Sequence, residues 1–209
     1  YTRTGVPVYG GCMALTIAIS NTKGGVGKTT STVLLACALT TRGMTVEVWD
    51  ADPQGSATAW LDEAAEVGPV PFPHSPMNAA SLRRRESSAD VLLIDTPPGE
   101  STVHAAVLAR ADLVIVPTAP SGMDMARVWA TLDALNGAVP AVVLLNTANT
   151  RTNNYKDAVA ALDAEGVPRF ETPIPSREAY KRAVGTIPSE RELGQWSEVA
   201  AEIEEMIQR

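Results

Sequence analysis

Lys23-Gly24-Gly25-Val26-Gly27-Lys28-Thr29-Thr30 is the stretch from which the rest of this sequence is read. Ahead of it, Leu15-Thr16-Ile17-Ala18-Ile19-Ser20 is short and apolar enough for a buried strand, and after it residues 29–42 carry a helical pattern closed by Gly43. Three glycines free the loop backbone of Cβ atoms, so successive N–H groups can converge on an anion at the positive end of the following helix. Strand, glycine-rich loop and helix in that order make a phosphate site. Lys28 then reaches the β- and γ-phosphates of a nucleotide, and the Thr29 hydroxyl can ligate Mg²⁺.

Working outward, apolar runs recur at Thr45-Val46-Glu47-Val48-Trp49, Val91-Leu92-Leu93-Ile94, Leu113-Val114-Ile115-Val116 and Ala141-Val142-Val143-Leu144-Leu145. Helical patterns alternate with them at 56–66, 101–110, 123–136, 155–165, 177–184 and 194–208. Such alternation predicts an α/β fold, a mostly parallel twisted sheet with helices on both faces, and the phosphate loop after its first strand makes that fold resemble a P-loop NTPase. Residues 68–76 hold four prolines in nine positions and read as a loop. Residues 82–88, which include Arg83-Arg84-Arg85, read as the end of a short helix with a solvated basic face. A chain of 209 residues suits one α/β domain, taken as 13–209. Residues 1–12 have no period and read as a disordered upstream extension or expression remnant.

Composition narrows the classes. Aromatic residues are 5% of the chain against 45% hydrophobic, so an aliphatic, alanine-rich core is expected. There is no apolar run of about 20 residues and no signal-type start, which predicts a cytoplasmic protein with no membrane span. Cys12 and Cys37 are too few and too badly spaced for a disulfide framework or a zinc site. A net charge of −7 opposes a uniformly basic nucleic-acid binder but leaves room for a local patch.

In an open parallel sheet, ligands bind beyond the carboxyl ends of the strands, and two strands here end in aspartate. One runs into Asp50-Ala51-Asp52-Pro53-Gln54-Gly55 and another into Asp95-Thr96-Pro97-Pro98-Gly99. Mg²⁺ on a nucleotide prefers oxygen ligands and keeps several waters, so carboxylates just behind the metal match what that chemistry requires. Taken alone, an aspartate after a strand is usually a turn residue or helix cap.

A standard phosphate loop has glycine where this chain has Thr22, and a second lysine, Lys23, opens the loop instead. In this, Lys-Gly-Gly-x-Gly-Lys-Thr resembles the deviant Walker A box of the ParA/MinD family of ATPases, whose extra lysine crosses a dimer interface to the partner's nucleotide. Asp-x-Asp-Pro-Gln is similar to that family's first switch, and Asp-Thr-Pro-Pro-Gly to its second. The resemblance implies that Asp52 orients the attacking water, that Asp50 lies near the metal, and that Asp95 is the Walker B acid. It implies metal contacts at Thr29, Asp50, Asp52 and Asp95, catalytic roles for Lys23, Lys28 and Asp52, and nucleotide contacts along Lys23, Gly24, Gly25, Val26, Gly27, Lys28, Thr29 and Thr30. Val116-Pro117-Thr118-Ala119-Pro120-Ser121 with Asp124 matches the segment after the next strand. Asn146 stands where the family often has a base-contacting asparagine, and Thr172-Pro173-Ile174-Pro175-Ser176-Arg177 matches the loop that wraps the base, giving Pro173, Ile174 and Pro175 as contacts. The likeness covers about 13–209 and is greatest to the short ParA type of plasmid partition proteins.

That resemblance implies an Mg-ATP-dependent partition ATPase. ATP promotes a sandwich homodimer or higher polymer, the dimer binds DNA without sequence preference on the nucleoid, and a ParB-type centromere-binding adaptor stimulates hydrolysis. ATP over GTP is also inherited, since Asn146 is followed by Thr147-Ala148-Asn149 and not by the guanine-reading motif. DNA contacts are expected at Arg151, Lys156, Arg177, Lys181 and Arg182, which also read as solvated charges interleaved with Asp157 and Glu178. A MinD-like membrane cycler needs a basic amphipathic end, whereas 196–209 is acidic. A small-molecule ligase or kinase on the same scaffold is the other alternative.

Overall fold

The computed structural model describes residues 14–99 and 101–208; the extension 1–12 lies outside them. In chain order the elements are β1 (Leu15–Ile19), α1 (Lys28–Thr41), β2 (Val46–Asp50), α2 (Ser56–Val67), β3 (His74–Pro76), α3 (Ala79–Leu82), β4 (Val91–Asp95), α4 (Thr102–Leu108), β5 (Leu113–Thr118), α5 (Gly122–Leu135), β6 (Ala141–Leu145), α6 (Asn153–Ala164), α7 (Glu178–Arg182), α8 (Glu190–Leu193) and α9 (Gln195–Gln208). Six strands form one all-parallel sheet in the order β3-β2-β4-β1-β5-β6.

Each central strand is apolar on both faces because both are covered. Ile17, Ile19, Val48, Leu93, Ile115 and Leu144 pack with α1, α2 and α9 on one side. Ala18, Ile94, Val114, Val116 and Leu145 pack with α4, α5 and α6 on the other. The period-2 alternation of strand side chains thus feeds two cores at once. The core is mainly aliphatic, as its composition predicts, although Trp60, Phe72, Phe170 and Tyr180 are also buried in it and Trp49 and Trp196 are its largest fully buried side chains. The Trp49 indole donates to Glu47 at 2.7 Å, and the Arg85 and Arg110 guanidinium groups lie over its ring at 5.5 and 5.3 Å. Arg85 is therefore tied to a buried partner, while Arg83 and Arg84 are exposed just after α3.

One reading from the sequence is overturned. Residues 68–76 are not all loop, because His74–Pro76 forms β3 and pairs with β2 from Val48↔His74 to Asp50↔Pro76. Three prolines precede or begin its approach, and the strand survives because an edge strand needs a partner on one side only. α8 is a further helix that the periodicity does not announce.

The order also locates the ligand end of the sheet. From β1 the chain moves outward to β2 and β3, returns to β4 beside β1, then crosses to β5 and β6 on the other side. The carboxyl end of β1, where this direction reverses, is the topological switch point at which ligands bind in open α/β sheets.

Candidate functional site

The loop after β1 turns sharply through Gly25 (φ 75°) and Gly27 (φ 89°), backbone conformations that favour glycine. Gly27 is also crowded, since a Cβ there would come within 3.0 Å of the Asn146 amide nitrogen. No side chain caps α1, so its first N–H groups and the positive end of its dipole are left for an anion. Lys28 is buried beneath this loop and donates to the Lys23 carbonyl at 3.1 Å. Burial lowers its pKa, while the charges of Asp95 and Asp52 act in the opposite sense.

Parallel register sets the carboxylates. Asp50 and Asp95 are paired across β2 and β4, and Ile19 pairs with Asp95 across β1 and β4. The Thr29 hydroxyl donates to Asp95 Oδ2 at 2.7 Å, whereas Asp95 Oδ1 is buried with no hydrogen-bond partner among the described residues. Burial, opposed by the Thr29 bond and reinforced by Asp50, pushes the Asp95 carboxyl up to about 7. An orphaned carboxylate oxygen beside a threonine hydroxyl, below an uncapped helix start, fits a nucleotide-bound divalent cation. Asp50 is more fully used: Oδ1 accepts from the Asp52 N–H at 3.1 Å and Oδ2 from the Thr58 N–H at 2.8 Å. Asp52 is half-buried and accepts from the Gln54 N–H at 2.9 Å.

Two cavities meet across the loop and share Gly25, Gly27, Thr30 and Val184. One, of about 480 Å³, is lined by Gly24, Lys28, Thr29, Asp52, Gln54 and Pro98 among others, and suits phosphates. The other, of about 280 Å³ and mostly apolar, is lined by Val26, Asn146, Thr147, Ile174, Pro175, Arg177, Tyr180 and Trp196, and suits a base. Asn146 fixes its own orientation. Its amide nitrogen faces the Val26 carbonyl at 3.3 Å and Ser31 Oγ at 3.2 Å, and a carbonyl can only accept, so Oδ1 is left as a buried acceptor with no partner among the described residues. Thr147 beside it takes a left-handed conformation at φ 49°, uncommon for a β-branched residue.

The structure thus brings Lys23 through Thr30, Asp52, Asn146, Ile174 and Pro175 to the two cavities, with Asp50 and Asp95 behind the phosphate side. Pro173 instead lines an adjoining cavity of about 540 Å³, together with Arg151. Arg177 and Lys181 line the base cavity; Arg177 lies over the Tyr180 ring at 5.7 Å and Lys181 donates to Glu178 at 2.8 Å. Lys156 and Arg182 are exposed on α6 and α7. Lys23 lines the base cavity together with Asp124, with which it pairs at 2.5 Å, and Asp124 also accepts from the Ser121 hydroxyl at 2.5 Å.

Several site residues escaped the sequence reading. Asn21 donates to the Pro117 carbonyl and accepts from the Lys23 N–H, both at 2.9 Å, so it ties the phosphate loop to the end of β5. Ser20 and His104, both buried, bond at 2.8 Å and join β1 to α4. Tyr180 and Trp196 reach the base cavity from α7 and α9; the scarcity of aromatics was the one signal that marked them.

Comparison with known proteins accords with this geometry. The model of the CobQ/CobB/MinD/ParA nucleotide-binding domain matches residues 17–187. A maintenance of carboxysome distribution protein A from Gloeobacter kilaueensis is 36% identical over 176 residues, 80% of this chain and 79% of the relative. One of the same name from Halothiobacillus neapolitanus is 29% identical over 182 residues, 82% and 84% of the two chains. The structure of an ATP complex of McdA from Cyanothece shares the fold, with a TM-score of 0.74 and 20% identity over 96% of this chain and 99% of that one. Phosphate loop, switch-point cavity and family match together place the chain in the CobQ/CobB/MinD/ParA nucleotide-binding family, to which it belongs as a ParA-like ATPase that takes ATP and Mg²⁺.

Proposed function

We propose that this ATPase, formed by residues 13–209, positions a cargo by cycling on and off DNA. The observation that carries the reading is the contrast between its two loop lysines. Lys28 is buried beneath the loop and lines the phosphate cavity, whereas the Lys23 side chain is 44% exposed and pairs with Asp124 on the wall of the base cavity. A cation so placed is available to the phosphates of a second subunit, adding charge that Lys28 alone does not supply. ATP then drives a homodimer or higher polymer by favouring the associated state.

Within each subunit the loop N–H groups and Lys28 hold the phosphates, and Asp52, on the wall of the phosphate cavity, orients the attacking water. Thr29 and Asp95 would hold Mg²⁺, with Asp50 and Asp52 retaining its waters; when bound, the ion neutralises charge on the phosphate oxygens. Asn146 Oδ1 accepts from the 6-amino group of adenine, where guanine presents a repelling oxygen. Ile174, Pro175 and, from the adjoining cavity, Pro173 flank the base loop. Arg151, Lys156, Arg177, Lys181 and Arg182 supply phosphate contacts to non-specific DNA, and a ParB-type adaptor stimulates hydrolysis. This gives a nucleoid-associated cytoplasmic protein, and among the described residues no helix is long and apolar enough to cross a membrane. The relatives named for carboxysome distribution favour a protein compartment as cargo over the plasmid that the partition motifs suggest.

Sedimentation with ATP or ADP, with and without duplex DNA, tests the reading. ATP should produce dimers that bind DNA and lose affinity as salt rises, and Lys23→Ala should bind ATP yet stay monomeric. An ATP-saturated wild-type protein that stays monomeric and ignores DNA at low salt would overturn it.

A further inference from the structure

Trp196, at the start of α9, lines the base cavity, is 1% exposed, and leaves its indole N–H buried without a hydrogen-bond partner among the described residues. An indole nitrogen can only donate, and a buried donor left unpaired costs about 1–3 kcal/mol. Asn146 Oδ1, an unpaired acceptor, lines the same cavity. The neighbouring Tyr180 hydroxyl is already engaged, 3.1 Å from the Leu193 carbonyl and 3.3 Å from Gln195 Oε1. The Tyr180 ring meets Trp196 edge-on at 6.2 Å, which fixes the indole plane. Gly194 makes this approach possible, because a Cβ there would come within 2.6 Å of the Arg177 guanidinium and 2.9 Å of the Tyr180 oxygen.

We infer that the Trp196 N–H donates to a ring nitrogen of the adenine base, so that one orphan donor and one orphan acceptor in the cavity read the base from two sides. Adenine carries both complements, a 6-amino donor and unprotonated ring nitrogens. Trp196 is then a specificity-determining contact, and it links the base to α9, whose Val199, Ala200 and Ile203 share a core with Leu34, Leu35 and Leu39 of the phosphate-loop helix. The inference rests on the ATP reading above.

The test is calorimetric binding of ATP and its 1-deaza, 3-deaza and 7-deaza analogues to the wild-type chain and to Trp196→Phe, which keeps an aromatic ring and deletes the N–H. One neutral hydrogen bond corresponds to a loss of about three- to tenfold in affinity. The wild type should lose that factor with one of the three analogues only. Trp196→Phe should lose it with ATP and lose nothing more with that same analogue, a non-additivity that a packing role does not produce. Should the variant fail to fold, the analogue series on the wild type decides alone: equal affinity for all four nucleotides overturns the inference, as does an unchanged ATP affinity in a folded Trp196→Phe. Either result leaves the ATPase reading intact, which instead fails if the wild type binds no ATP.

Discussion

Replacing Asp95 by asparagine should stabilise the nucleotide-free protein and abolish its ATPase activity. The carboxyl is fully buried beside Asp50 and is pushed from 3.8 up to about 7. Between those values the folded state keeps a proton that the unfolded state has released, so wild-type stability falls as pH rises through the window and levels off above it. At about 1.36 kcal/mol per unit, the cost is about 2 kcal/mol at pH 5 and about 4 kcal/mol at pH 8, and vanishes below the unfolded value. Asparagine keeps an acceptor for the Thr29 hydroxyl and cannot ionise, so the variant should gain those amounts over the wild type. For a chain of this size 4 kcal/mol corresponds to a rise on the order of 10 °C in melting temperature. Urea unfolding of both proteins with EDTA at pH 5 and pH 8 measures it. A gain that does not grow with pH, or a variant less stable than wild type at pH 8, would refute the reasoning. Loss of hydrolysis follows from the same change, because the neutral amide no longer supplies the charge that a divalent cation requires.

Further outcomes are expected. Lys28→Ala should weaken ATP binding, whereas Asp52→Ala should bind ATP and self-associate while phosphate release is suppressed; an Asp52→Ala protein that hydrolyses at the wild-type rate removes the water-positioning role. Asp124→Asn should release Lys23 and lower the ATP concentration needed for association by about two- to fivefold, the range of a partly exposed ion pair, as read by light scattering. Burial pushes the Cys37 thiol up to about 12, so at pH 8 peptide mapping should find it unalkylated in the folded protein and alkylated in urea; labelling of the native state would show that α1 opens locally.

Much of this molecule is legible in contiguous residues. The loop 23–30 announces its function because its glycines, its lysines and the helix start lie within eight positions, and the physics that joins them is local. Asp50 and Asp95 are recognisable for a related reason: each ends an apolar run, and in a parallel sheet every such end comes to the same edge. What the residues could not disclose depends on closure of long loops. β3 is hidden because its prolines argue against a strand, and only the free edge of β2 makes three residues enough. The Lys23 side chain meets Asp124 from the first turn of α5, a pairing fixed by how β5, which leads into that helix, lies beside β1. Trp196 and Asn146 are remote in sequence, yet line one cavity because α9 docks on α1 while β6 ends beside it. Local chemistry chose the phosphate site, whereas the base pocket is assembled by packing, and packing follows from the surface that all the elements bury together.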